Sequence, residues 1–263
     1  MTREKSFRTL IRTLGERTME PIVFIGRVVS VLPQLRNPRR LRLRETLYYL
    51  DLCGAKSLPI VLAICFLMGV VMAVNGQIQL SKVGQEIFVV DLVGFAVLKE
   101  FGPLMVALIA TGRAGSAFAA EIGTMKVDEE ISALETMGIT PEAYLVLPKL
   151  IAMLVALPLL TVLGDAAGLL GGMLIGTTTM GIPVPTYWSR TLEVLDYMTF
   201  LLGAAKSLVF AVVVTLAGCY CGFVAQNDAL GVGRAATSAV VASIFLVVIA
   251  DVIITILYSF IGY

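Results

Sequence analysis

Five apolar stretches, each long enough to cross a lipid bilayer, alternate with short polar segments along this chain. A bilayer core about 30 Å thick needs about 20 residues of helix. Runs of that order extend over about Leu58 to Ile78, Ile87 to Thr111, Tyr144 to Gly176, Met198 to Phe223 and Thr237 to Tyr258. Lipid offers no water to an unpaired backbone group, so each run predicts a helix. Pro59 falls in a first turn, where its missing N–H is tolerated, and Gly69 and Gly76 allow close contact with a neighbouring helix. The third run contains Pro148 and Pro158 and is long, kinked or both. SKVGQE (Ser81 to Glu86) links the first two spans, and a loop with Pro183, Pro185, Trp188 and Arg190 follows the third, its aromatics suiting an interfacial belt.

Two stretches depart from this pattern. PIVFIGRVVSVLP, thirteen residues with Arg27 inside, is too short and too charged to span and predicts a helix lying in the cytoplasmic interface. It leads into RNPRRLRLRE (Arg36 to Glu45), suited equally to anionic head groups and to positive-inside anchoring. Between the second and third spans, Asp128, Glu129 and Glu130 open an acidic amphipathic helix of about three turns, where carboxylates favour the positive end of the helix dipole. Ile131, Leu134 and Met137 fall on one side, Glu135 on a polar flank, and Gly138 is placed to end it. Thr140 and Pro141 make an N-cap and first-turn proline for the next helix. Residues 121–142 hold six acids against Lys126 alone. A solvated loop would not need three apolar residues in register, so this helix predicts a docking element for a soluble protein in preference to the alternative, a plain interfacial helix. Just upstream, Gly112, Ser116 and Ala120, and beside them Gly115, Ala119 and Gly123, form two stripes without bulk, fit for packing within the chain or between subunits.

Composition agrees with the pattern. Hydrophobic residues are 58% of 263 and charged residues 15%, with mean hydropathy +0.91; this is an all-α integral membrane protein, not a soluble one. Residues 1–56 carry twelve Lys/Arg against five Asp/Glu, the remainder eight against fourteen. With Arg113, Lys126, Lys149 and Arg234 on one side and only Lys82 and Arg190 on the other, the N-terminus is expected in the cytoplasm and the C-terminus beyond the membrane. The first residues lack a signal-peptide pattern.

Several chemistries drop out. There is no histidine, which removes Ser-His-Asp catalysis and HExxH metal sites. Cys53, Cys65, Cys219 and Cys221 lie in or beside apolar runs without ligand spacing, so no metal site and no catalytic residue is expected. No GxxxxGK[ST] occurs, and GAAKS at Gly203 lacks the glycine before lysine that lets amides wrap a phosphate. ATP is therefore not handled by this chain, no cofactor is expected in it, and nothing calls for nucleic acid. Energy must come from a partner or an ion gradient.

Ionisable residues inside spans are costly and face a cavity or a partner. Here they are Asp91, Lys99, Glu100, Asp165, Lys206 and Asp251. Lys99 and Glu100 are adjacent, about 100° apart on a helix, and cannot share a face. Lys99 precedes Arg113 by about 21 Å of helix, well toward the outer side, where a cation could meet a lipid phosphate. The alternative is a buried ion pair of Lys99 or Lys206 with Asp165 or Asp251.

The run GPLMVALIATGRAGSAFAAEIGTMKVDEEISALETMGITP, with LKEFGP (Leu98 to Pro103), AKSLVFA (Ala205 to Ala211) and GVGRAATSAVVASIFLVVIADVIIT (Gly231 to Thr255), resembles the signature of the MlaE permease family. These are membrane subunits of ABC transporters that move phospholipid between the two membranes of Gram-negative envelopes. The resemblance runs from about residue 45 to the end. It implies a homodimeric inner-membrane permease with a basic cytoplasmic segment and interfacial helix (residues 1–56) before a five-span permease domain (57–263). It assigns the helix at about Val127 to Gly138, with Asp128, Glu129, Glu130, Ile131, Leu134, Glu135 and Met137, to coupling with two copies of an ATPase that binds ATP and Mg. It further implies a periplasmic partner with mammalian-cell-entry domains, and it admits a small accessory cytoplasmic subunit. A lipid pocket near the dimer interface would include Lys99, Glu100 and Phe101, walled by Met72 and Leu80, with Asp165, Lys206 and Asp251 as structural charges. Relatives often carry arginine in place of Lys99, so a point-charge contact with phosphate is expected here rather than a bidentate grip. The rival readings are an ion-driven transporter with Asp165, Lys206 and Asp251 as a proton relay, and a scaffold that only anchors a soluble partner.

Overall fold

The computed structural model describes residues 19–33, 42–194 and 197–261, and among them the only regular structure is helical. Nine helices follow in order: α1 (19–31), α2 (Leu43–Cys53), α3 (Leu58–Leu80), α4 (Phe88–Val127), α5 (Glu130–Thr136), α6 (Glu142–Thr178), α7 (Val184–Val194), α8 (Tyr197–Phe223) and α9 (Ala229–Ile261). Five segments are long and apolar enough to cross a membrane: α2 with α3, α4, α6, α8 and α9. The chain is a multi-pass membrane protein of all-α class.

α6 lies at the centre, with 67% of its apolar window buried, and α9 at the edge with 11%. The tightest pairing is α3 on α6. A Cβ on Gly69 would overlap the carbonyl of Gly168, and one on Gly171 the carbonyl of Phe66, so only glycine allows these backbones so close. Phe118, Val106, Leu157, Phe210 and Val214 fill the core between α4, α6 and α8.

The second span is longer than its apolar run. α4 continues past Thr111 to Val127, about 60 Å of helix, taking in both small-residue stripes. The reason lies in packing: Gly218 of α8 rests on the Gly115 backbone, Gly222 on Ala119 and Ile122, and Gly123 meets Ala225 and Val232. The Gly115 stripe is thus internal packing, whereas a Cβ on Gly112 would meet nothing within 4 Å. α9 likewise starts earlier than expected, at Ala229, where Asp228 Oδ1 accepts the Gly231 N–H at 2.7 Å and caps the helix.

Where a loop was expected after the third span there is a helix, α7. Its inner residues Tyr187 and Thr191 are buried while Val184, Trp188 and Leu192 are exposed. Pro185 sits in its first turn, where it supports a helix. α1 matches the interfacial helix expected from PIVFIGRVVSVLP in length and character: Phe24, Val28 and Val31 are buried, and Ile22, Val23, Ile25 and Val29 face outward. The Phe24 ring packs 5.7 Å from Tyr220 and 5.6 Å from Phe223. Of the arginine-rich run, Arg36, Arg39 and Arg40 lie outside the described residues; Arg42 stacks 3.8 Å over the Tyr144 ring. The four cysteines are free thiols.

Candidate functional site

Within α4, residues Val97–Phe101 form a wide π turn closed by a hydrogen bond from the Gly102 N–H to the Val97 carbonyl. Pro103 follows directly and cannot donate to the preceding turn, which is a standard cause of such a widening. This turn presents Lys99, Glu100 and Phe101, all half-buried.

Glu100 turns toward α8 and α9. Its Oε2 stands 2.5 Å from Lys206 Nζ, which also donates to Asp251 Oδ1 at 2.9 Å and Thr255 Oγ1 at 2.8 Å. Thr255 in turn donates to Glu100 Oε1 at 2.9 Å. Lys206 is fully buried, so one ammonium between two carboxylates ties three spans together. Of the pairings open from sequence, Lys206 with Asp251 is the one present, and Glu100, assigned by resemblance to the lipid, joins it. Asp165 takes no part. It is 6% exposed on α6, its Oδ1 has no hydrogen-bond partner among the described residues, and it packs against Gly102, where a Cβ would collide with it. Lys99 forms no ion pair or hydrogen bond among the described residues and is half-buried. Met72 and Leu80 pack against Ala73, Val89, Val93, Val97 and Leu98. Met72 and Leu80 thus border an apolar cluster to which the turn contributes Val97 and Leu98.

The acidic segment is shorter than expected. α5 has seven residues, with Asp128 and Glu129 in the turn before it, Glu129 in the left-handed region at φ 59°, and Gly138 closing it at φ 73°. Asp128, Glu129, Glu130 and Glu135 are exposed. The three apolar residues separate: Leu134 is buried and Ile131 packs on the core, whereas Met137 is 64% exposed. The outward face is thus acidic with Met137, not an apolar stripe. A groove of about 620 Å³ runs between α1, α5 and the end of α8, lined by Phe24, Ile131, Glu135, Glu142, Tyr220 and Phe223.

Sequence reasoning missed other polar anchors. Lys126 Nζ donates to the Phe223 and Ala225 carbonyls, both at 2.8 Å, satisfying the end of α8. At the opposite end of the bundle, Arg190 of α7 grips Asp91 of α4 through Nε at 2.8 Å and Nη2 at 2.6 Å. Asp91 holds the guanidinium pKa above its ordinary value. Beside it, burial pushes the Tyr187 phenol up to about 12. The signal for the Asp91–Arg190 pair was present as two opposite charges at one end of adjoining spans, but without α7 there was no reason to join them. Among the described residues no group of three His, Cys, Asp or Glu is placed to hold a metal.

A profile for "Permease MlaE" matches residues 46–257, from within α2 through most of α9. The chain belongs to the MlaE permease family. Among its relatives, a "Probable ABC transporter permease protein" of Rickettsia bellii is 33% identical over 256 residues, covering 95% of this chain and 97% of that protein. The "Intermembrane phospholipid transport system permease protein MlaE" of Haemophilus influenzae is 31% identical over 253 residues, covering 93% and 95%. "Protein TRIGALACTOSYLDIACYLGLYCEROL 1, chloroplastic" of Arabidopsis thaliana is 31% identical over 212 residues, covering 81% and 61%. The MlaE match includes the π turn, the acidic segment and the Lys206–Asp251 pair, and leaves α1 outside.

Proposed function

We propose that this chain is the permease subunit of an ABC transporter that moves phospholipid between the inner and outer membranes, driven by a separate ATPase. The single observation that carries the reading is Lys99, a cation on a transmembrane helix with no partner among the described residues. It sits on the same turn as Glu100, whose charge is already met by Lys206. An unpaired ammonium in a span needs a counter-charge, and a phospholipid phosphate supplies it, with Phe101, Met72 and Leu80 as apolar wall for acyl chains.

In this reading residues 1–56 are a basic cytoplasmic segment, residues 57–263 the permease domain, the N-terminus cytoplasmic and the C-terminus periplasmic in a bacterial inner membrane. Two copies pair around the lipid, two ATPases dock on the acidic faces that carry Asp128, Glu129, Glu130 and Glu135, and a mammalian-cell-entry-domain protein meets the periplasmic end. Met137 extends the ATPase contact, while Ile131 and Leu134 root the segment in the core. A small accessory subunit on the cytoplasmic side is compatible with this arrangement. Direct chemistry is absent from the role; the chain opens and closes a path. A proton relay through Asp165, Lys206 and Asp251 is disfavoured, because the Lys206–Asp251 pair forms without Asp165, whose Oδ1 has no hydrogen-bond partner among the described residues.

Affinity purification from native membranes tests this assembly. Co-purification of an ATPase, with phospholipid retained between two copies of the chain, is the expected result. A chain recovered alone and free of lipid would contradict it.

A further inference from the structure

Between the acidic segment and the spans lies a second buried polar cluster that the reading above does not use. Lys149 of α6 is fully buried. Its Nζ donates to Tyr49 Oη of α2 at 2.8 Å and to Glu121 Oε1 of α4 at 3.1 Å, and Tyr49 donates to that same Glu121 oxygen at 2.5 Å. The Phe118 ring closes the cluster, edge-on to Tyr49 at 5.7 Å and with Lys149 Nζ 5.7 Å from its centre.

Its position is informative. Glu121 stands seven residues before Asp128 and Lys149 eleven after Gly138, so the two helices leaving α5 are joined to each other directly above it. Tyr49 adds α2, which runs through the turn at Ala55–Ser57 into α3, the helix of Met72 and Leu80. The Arg113 guanidinium, donating to the Lys56 carbonyl, ties α4 to that same turn. From Glu121 about 33 Å of α4 leads to Lys99.

The chemistry argues against a mere staple. Well-packed apolar residues would hold three helices at least as firmly as a buried charge does. What this cluster adds is dependence on geometry: one carboxylate oxygen serves both donors, so a slip of any of the three helices by an ångström or two breaks more than one contact at once. Such a junction is either closed or open, as two-state elements are.

We propose that Tyr49, Glu121 and Lys149 form a transmission clasp that locks the α5-proximal ends of α2, α4 and α6 into one body, so that a displacement of α5 reaches Met72, Leu80 and Lys99 together. They are positioning residues. The inference rests on the reading of α5 as the ATPase contact.

The test uses the full chain assembled with its ATPase in proteoliposomes and reads phospholipid transferred per ATP hydrolysed, together with the amount of ATPase retained. Tyr49→Phe removes one hydroxyl and keeps the ring; Lys149→Met with Glu121→Gln removes the charges as a pair. Both are expected to retain the ATPase and hydrolyse ATP while lipid moved per ATP falls about 3- to 30-fold. An unchanged ratio in both, or a loss of transport that only follows the loss of assembled complex, overturns the clasp. Wild-type complex that moves no lipid on ATP would instead refute the transporter reading itself.

Discussion

Lys206 Nζ and Glu100 Oε2 stand 2.5 Å apart, joining α8 to the π turn of α4 with Asp251 of α9 as the second anion. The ammonium is fully buried, and removal of a buried charge that others depend on is expensive. Lys206→Met leaves two facing carboxylates and should cost about 3–5 kcal/mol, read as a lower melting temperature of the purified protein. Adding Glu100→Gln and Asp251→Asn removes the stranded charges and should recover most of that loss.

Asp165 behaves oppositely. Its Oδ1 has no hydrogen-bond partner to lose among the described residues, so Asp165→Asn should change stability by no more than about 1 kcal/mol and leave transport intact. Gly102→Ala, by contrast, drives a methyl group into the Asp165 carboxylate and should destabilise by about 1–3 kcal/mol. Transport abolished by Asp165→Asn at unchanged stability would revive the proton relay.

The α3–α6 contact offers a matched pair. Gly69→Ala places a methyl group on the Gly168 carbonyl and forces the helices apart, at a cost of about 1–3 kcal/mol or more. Gly112→Ala meets nothing within 4 Å and should stay within about 0.5 kcal/mol. Thermal melts of the two variants side by side check the difference.

The spans were legible because lipid forces unbroken helices on long apolar runs, and α1 because its run was too short and too charged to do otherwise. The far part of α4 was legible as helix from the spacing of its two small-residue stripes, but not which stripe packs: Gly115 and Gly123 meet residues of α8 and α9, whereas a Cβ on Gly112 would meet nothing within 4 Å. α7 was hidden by Pro183 and Pro185, which mark a loop unless Tyr187 finds a place to bury. At the site, the intramembrane charges could be named but not paired: the partner of Glu100 depends on how the π turn sets its direction, and adjacent residues cannot report that. The spacing of Ile131, Leu134 and Met137 puts them on one side of a helix, yet the pattern could not say that Leu134 faces the chain's own core and Met137 the outside.

That outward face is acidic, so charge reversal should act on docking rather than on folding. Glu129, Glu130 and Glu135 changed together to lysine are all exposed and should leave membrane insertion and melting within about 0.5 kcal/mol of wild type. The same variant should lose retention of the ATPase in pull-downs. Normal docking and ATPase stimulation would show that these acids do not meet the motor.

The central claim is that ATP-driven lipid movement depends on Lys99 of α4, a cation without an ion pair among the described residues. The direct measurement is transfer of labelled phospholipid by proteoliposomes holding the chain and its ATPase, for wild type, Lys99→Arg and Lys99→Ala. ATP-dependent transfer that survives Lys99→Arg and falls about tenfold or more in Lys99→Ala, as loss of a charge-assisted contact of about 1.5–3 kcal/mol implies, is the predicted result. Transfer that needs a pH gradient and no ATPase, or that is indifferent to Lys99→Ala, would contradict the account.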